Sequence, residues 1–166
     1  MKFPTLLACI SLSIFHTTAT AEDSVFLEEL TWTEIGGMIE SGSTRVLIPT
    51  AGTEQNGPHM VLGKHRYIIE HASNLIAREL GRTLVAPTMT YVPEGNIDPP
   101  TGHMRYPGTI SLPNEYFVKV LEYTARSLAA HGFTDILFLS DSGSNMRGIA
   151  EVTEALDKEW GGIPAR

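Results

Sequence analysis

From Val25 onward, short aliphatic runs of strand character alternate with longer stretches of helical period, and this alternation constrains the fold more than any other feature. Arg45 to Pro49 (RVLIP) predicts a buried strand, Leu84 to Pro87 a short one and Asp135 to Leu139 (DILFL) a third. Arg66 to Leu80 predicts an amphipathic helix with Ile68, Ile69, Ala72, Leu75, Ile76 and Leu80 on its inner face, stopped by Gly81. Pro113 to Ala130 predicts a second helix, with Phe117, Leu121, Thr124, Ala125 and Leu128 inward, and Asn145 to Trp160 a third, with Met146, Ile149, Ala150, Thr153 and Leu156 inward. Upstream, Thr31 followed by Glu34 forms a capping box for a short helix ending near Gly42. The order βαβαβα implies an α/β fold with a parallel sheet.

The 166 residues, 42% hydrophobic and 19% charged, suit one domain and exclude both a disordered chain and a polytopic membrane protein. A net charge of -7 without any Lys/Arg cluster argues against a nucleic-acid partner. Lys2, the apolar run Pro4 to Phe15 and the small residues Ala19-Thr20-Ala21 have the layout of a signal peptide. Residues 1–21 are therefore expected to be removed, leaving residues 22–166 as a single domain in the periplasm or outside the cell. The single cysteine, Cys9, lies inside that leader, so the mature domain is expected to use no thiol for a disulfide or a metal. A lipid-modified Cys9 is the lesser alternative, because the apolar run before it is short.

In open parallel sheets the ligand site forms at the carboxyl ends of strands. Two such ends carry the densest polar sequence, Thr50 to His65 (TAGTEQNGPHMVLGKH) and Ser140 to Asn145. The first places Glu54, Asn56, His59 and His65 within twelve residues. Carboxylate and imidazole converging in one turn suit zinc, manganese or a similar divalent ion, which would lower the pKa of a bound water to about 7. An ordinary polar turn is the competing reading. The irregular stretch from Tyr91 to Ile110 is long for a mere connection, and long structured loops are usually functional. His71, on the flank of a helical stripe, and His131, at a helix end, read as structural.

Three separated blocks, GTEQNGPHMVLGKH, RYPGTISLPNEYF and LAAHGFTDILFLSDSGSN, resemble the creatininase (creatinine amidohydrolase) family in order and spacing. The resemblance implies a three-layer βαβ sandwich with a mainly parallel sheet and a two-metal site, zinc or manganese, that hydrolyses C–N bonds of amides. Glu54 matches the family's glutamate. Asn56 stands where a histidine ligand is usual, His65 where an aspartate would bridge the metals, and Ser142 where the later block has its histidine. These departures leave an altered site, with Glu54, Asn56, His65 and Asp141 as metal ligands, and Glu54 and Asp141 as the catalytic pair. His59, His103, Arg105 and Ser142 are the expected substrate contacts. The implied function is a metal-dependent amidohydrolase that acts on a small cyclic or linear amide through a metal-activated water. The alternative is a non-catalytic member that binds a small molecule. The resemblance also implies a homo-oligomer, and a domain whose sheet is incomplete, since the chain ends after its third predicted long helix. A serine nucleophile at Ser142 is disfavoured, because Asp141-Ser142-Gly143 lacks the G-x-S-x-G elbow and no base follows it.

Overall fold

The computed structural model describes residues 24–161, so the expected leader with Cys9 lies outside the described residues. The main elements are α1 (Trp32–Glu40), β1 (Arg45–Thr50), α2 (Lys64–Leu80), β2 (Thr83–Val85), α3 (Asn114–Ala130), β3 (Asp135–Ser140) and α4 (Met146–Trp160). Thr31 caps α1 as expected. Its hydroxyl accepts from the Glu34 N–H while the Glu34 carboxylate accepts from the Thr31 N–H.

The strands pair in parallel in the order β2-β1-β3, with Val46 beside Leu84 on one side and Ile136 on the other. This is the α/β architecture expected from the alternation. β2 is shorter than its sequence run. The Ala86 N–H still donates to Leu47, but Pro87 has no N–H to continue the ladder.

Side chains alternate across the sheet and divide the core in two. On one face Val46, Ile48, Leu84, Ile136 and Phe138 pack with Phe117, Leu121 and Ala125 of α3 and with Ile149, Val152 and Leu156 of α4. Ile35, Met38 and Ile39 of α1 join the same cluster. On the other face Leu47 and Val85, flanked by Leu137 and Leu139, meet Ala77 of α2. Gly148 lets α4 approach α3, since a Cβ there would lie 2.6 Å from a Phe117 ring carbon.

Two helical faces differ from those expected. α2 rests on the sheet through His65, Ile69, Ser73 and Ala77, while Ile68, Leu75, Ile76 and Leu80 face outward. The buried row follows i, i+4 spacing, and its small members Ser73 and Ala77 permit a close helix-to-sheet approach that the bulkier stripe would not. In α4 the inward residues are Gly148, Ile149, Val152 and Leu156, with Met146 and Ala150 outside. Among the described residues no helix is long and apolar enough to cross a membrane.

Candidate metal centre

β1 is followed by a connection to β2 on one side and is flanked by β3 on the other, so a crevice opens at the carboxyl ends of β1 and β3. Asn145, fully buried, braces this end. Its side-chain amide donates to Thr50 Oγ1 (3.1 Å), the Ala51 carbonyl (2.7 Å) and Ser140 Oγ (3.2 Å). Glu54 leaves the turn after β1, and its N–H donates to the Leu62 carbonyl just before α2 begins. His65 is the second residue of α2, and Asp141 follows β3 directly.

His65 bridges two carboxylates. Its Nε2 lies 2.7 Å from Glu54 Oε1 and its Nδ1 lies 2.7 Å from Asp141 Oδ2. Asn56 joins through its amide nitrogen, which donates to Glu54 Oε1 at 3.4 Å and to the Glu54 carbonyl at 3.3 Å. The Asn56 amide oxygen accepts from the Lys64 ammonium at 2.6 Å. The four residues expected from sequence to be ligands therefore do come together. Each nitrogen of His65 is nevertheless already taken by a carboxylate oxygen.

On the other side of Glu54 lie two residues from the long loop. Oxygen atoms of Glu54 and Glu94 and a ring nitrogen of His103 lie within 4.8 Å of one another. The loop is folded so as to hold them there. The His103 N–H donates to the Glu94 carbonyl, the Glu94 N–H donates to Ser111 Oγ, and Ser111 Oγ donates to the Gly95 carbonyl. Gly95 and Gly102 make this possible. Both have positive φ, and a Cβ on either would strike backbone, 2.2 Å from the Thr101 oxygen and 2.9 Å from the Glu94 oxygen respectively.

Glu94 is only 3% exposed, and as a carboxylate it has no hydrogen-bond partner on either oxygen. Burial pushes its pKa up to about 9, helped by a hydrogen bond to Glu54 and by the Glu54 charge. Burial also opposes ionisation of Glu54. The hydrogen bonds from Glu94 and His65, with the charges of His103 and His65, outweigh it and hold Glu54 below the usual carboxylate range. Without a metal, the pair is satisfied by one proton that Glu94 donates to Glu54. A divalent cation would satisfy both carboxylates in its place.

Distances separate the two sides. Tetrahedral bonds of about 2.0–2.2 Å place two ligand atoms of one zinc ion about 3.3–3.6 Å apart. His103 Nε2 stands 3.2 Å from Glu54 Oε2, close to the lower end of that range. The 2.7 Å contacts of His65 are direct hydrogen bonds and leave no room for an ion between the atoms.

The expected substrate contacts are spread out. His103 is half-buried in the cluster. Ser142 is buried, and its hydroxyl pairs with Ser144 Oγ at 2.9 Å. His59 is exposed on the turn and lies close to Gly57. Arg105 is exposed at the end of the 3-10 turn Gly102–Arg105, and among the described residues no hydrogen bond or ion pair joins it to Glu54. Glu94 was not foreseen from the sequence. The only local signal for it is a carboxylate set between Pro93 and Gly95 in a loop too irregular to be a plain connection.

A family model described as creatinine amidohydrolase (creatininase) matches residues 28–165. Creatinine amidohydrolase of Pseudomonas putida is 27% identical over 128 residues, which cover 77% of this chain and 48% of that protein. The mycofactocin precursor peptide peptidase of Mycobacterium tuberculosis is 30% identical over 132 residues, 73% of this chain and 49% of its own length. The chain thus spans about half the length of these relatives. A crystal structure of creatinine amidohydrolase superposes with a TM-score of 0.74 at 26% identity, covering 84% of this chain and 53% of that one. Other creatininase structures are described as an Mn form (TM-score 0.68, 26% identity, covering 82% of this chain and 54% of that one) and as a Zn–Zn form of a glutamate-to-glutamine variant (0.69, 25%, covering 86% and 56%). The metal expected from sequence, zinc or manganese, is thus the metal of these neighbours, and Glu54, Glu94 and His103 offer a place for one. With the matched model covering most of its length, and with the same α/β sheet, this chain belongs to the creatininase family.

Proposed function

We propose that the protein is a metal-dependent hydrolase that cleaves a C–N bond of a small cyclic or linear amide. The observation that carries this reading is the buried Glu54–Glu94 carboxylate pair facing a histidine at the carboxyl end of a parallel strand. Two carboxyl groups buried so close together, one of them kept protonated by its burial and its neighbour's charge, are retained at a cost to stability, which is the usual mark of a functional site. A zinc or manganese ion bound there would polarise the amide carbonyl and acidify a water molecule.

The chain's own residues supply the rest. Glu54 holds the ion. His65, hydrogen-bonded at both nitrogens, relays a proton between Glu54 Oε1 and Asp141 Oδ2 and keeps both carboxylates aimed into the crevice. One relative is named for hydrolysis of creatinine and another for cleavage of a precursor peptide, and this chain covers only about half of each; a role for His59, His103 or Arg105 in holding an amide belongs to the same proposal. The leader-like residues 1–21 support export to the periplasm or beyond, and the family resemblance supports a homo-oligomer.

A second reading, a small-molecule binder without catalysis, is favoured by one observation. Ser142 and Ser144 bond to each other in the turn where the family carries a histidine ligand. One experiment separates the two. Protein stripped with a chelator and reloaded with Zn²⁺ or Mn²⁺ is assayed for C–N bond cleavage in a panel of amides, by ring-opened product from cyclic ones and by released amine from linear ones, beside Glu54→Ala. The hydrolase reading expects activity that disappears with chelation, returns with the ion and is absent in the variant. Hydrolysis indifferent to chelation, or none with the ion bound, would overturn it.

A further inference from the structure

We propose that this chain binds a single divalent cation through Glu54, Glu94 and His103, and that the neighbouring position, where its zinc-pair relatives would hold a second ion, is filled by the Lys64 ammonium and the His65 ring. The inference rests on the metal-dependent reading above and deepens it, since it fixes the number of ions and names two ligands outside the motif that carries the family likeness.

Three independent features single out this trio. Glu94 is buried with both oxygens unpartnered as a carboxylate, and it is aimed at Glu54 and His103. The 3.2 Å between His103 Nε2 and Glu54 Oε2 is within about 0.1 Å of the closest spacing of two atoms on one tetrahedral zinc ion. His103 is also oriented from behind. Its Nδ1 lies 3.1 Å from the Gln55 carbonyl and 3.2 Å from the Gln55 amide nitrogen. The Gln55 amide oxygen accepts from the Gly57 N–H at 3.0 Å, so the amide nitrogen is the end that faces the ring. His103 therefore has a partner in either tautomer. With Nδ1 accepting from Gln55, Nε2–H donates to Glu54; with Nδ1–H donating to the Gln55 carbonyl, the Nε2 lone pair is free to coordinate. Metal-binding histidines are commonly held by such a backbone carbonyl.

The other side of Glu54 is closed to a second ion. Both nitrogens of His65 are engaged, and a lysine ammonium lies 2.6 Å from Asn56 Oδ1. A cation placed at Asn56 would meet that positive charge at close range. Ser142 and Ser144, neutral hydroxyls paired with each other, offer no anionic ligand.

The test is calorimetric titration of the chelator-treated protein with Zn²⁺, repeated with Glu94→Gln, His103→Gln and Asn56→Ala. Circular dichroism serves as the check on folding, and the visible spectrum of the Co²⁺ form as a readout independent of turnover. One ion per chain is expected, with affinity reduced about 10–100-fold or more by Glu94→Gln and His103→Gln, and reduced by less than either in Asn56→Ala, which takes from Glu54 only long hydrogen bonds. The Co²⁺ bands should change in the first two variants only. Two ions per chain, undiminished binding in a folded Glu94→Gln protein, or an Asn56→Ala loss equal to that of Glu94→Gln would overturn the proposal. Two ions with metal-dependent hydrolysis would leave the hydrolase reading intact. One ion with no hydrolysis would leave the single site standing and remove only the hydrolase.

Discussion

Gly52→Ala tests the metal centre through a residue that is neither a ligand nor charged. A Cβ built on Gly52 lies 2.3 Å from Glu94 Oε1 and an ordinary 3.5 Å from Glu94 Cδ and Val92 Cγ2. Carbon and oxygen in contact normally stay more than about 3 Å apart, so the carboxylate must retreat by about 1 Å. The chain itself can accept the change, because Gly52 does not have a positive φ and the atom struck is the end of a side chain. The expected stability cost is near the lower end of the about 1–3 kcal/mol typical of overpacking. A ligand displaced by about 1 Å no longer fits an ion whose bonds tolerate about 0.2 Å, so Zn²⁺ affinity should fall about 10–100-fold, or about 1.4–2.7 kcal/mol. Thermal melting with and without Zn²⁺ reads this directly. At an ion concentration about 100 times the wild-type Kd, the wild type gains about 2.7 kcal/mol, and the variant should gain roughly half of that or less. A variant that melts normally without metal and gains as much as the wild type with it would refute the placement of Glu94 beside the ion.

Other consequences follow from the same geometry. The folded, metal-free protein keeps a proton on Glu94 up to about pH 9, while the unfolded chain releases it near the ordinary glutamate value; the Glu94 contribution is therefore fully present at acid pH and lost as pH rises toward 9. Urea melts of the metal-free form from pH 5 to 9 should show this decline, and Glu94→Gln should flatten it; an unchanged slope would contradict the buried-acid assignment. Asn145→Ala removes three hydrogen bonds that tie the ends of β1 and β3 and leaves the Ala51 carbonyl unpaired. It should cost about 1–3 kcal/mol in denaturant melts, and a neutral result would show that water substitutes freely. Gly148→Ala forces a methyl to within 2.6–2.7 Å of two Phe117 ring carbons, and by separating α3 from α4 it should lower stability by about 1–3 kcal/mol without changing Zn²⁺ affinity.

The parallel sheet was readable because RVLIP and DILFL are apolar at nearly every position, which only a strand covered on both faces requires. The meeting of Glu54 and His65 was also readable, since one follows a strand and the other opens the next helix. What failed was physical inference from hydrophobicity alone. In α2 the large aliphatic residues formed the more obvious stripe, yet the sheet accepts the row His65, Ile69, Ser73 and Ala77, where small side chains give the closer contact. Glu94 and Gln55 escaped for a different reason. Their positions depend on how an aperiodic loop folds back over β1, through hydrogen bonds between Glu94, His103 and Ser111 that no local pattern encodes.

Diffraction from crystals grown with Zn²⁺, recorded on either side of the zinc absorption edge, would locate the ion without reference to activity. The account predicts one anomalous peak per chain, bonded at about 2.0–2.2 Å to Glu54, Glu94 and His103. A peak between Glu54, Asn56 and His65 instead, or a pair of peaks bridged by His65, would contradict it.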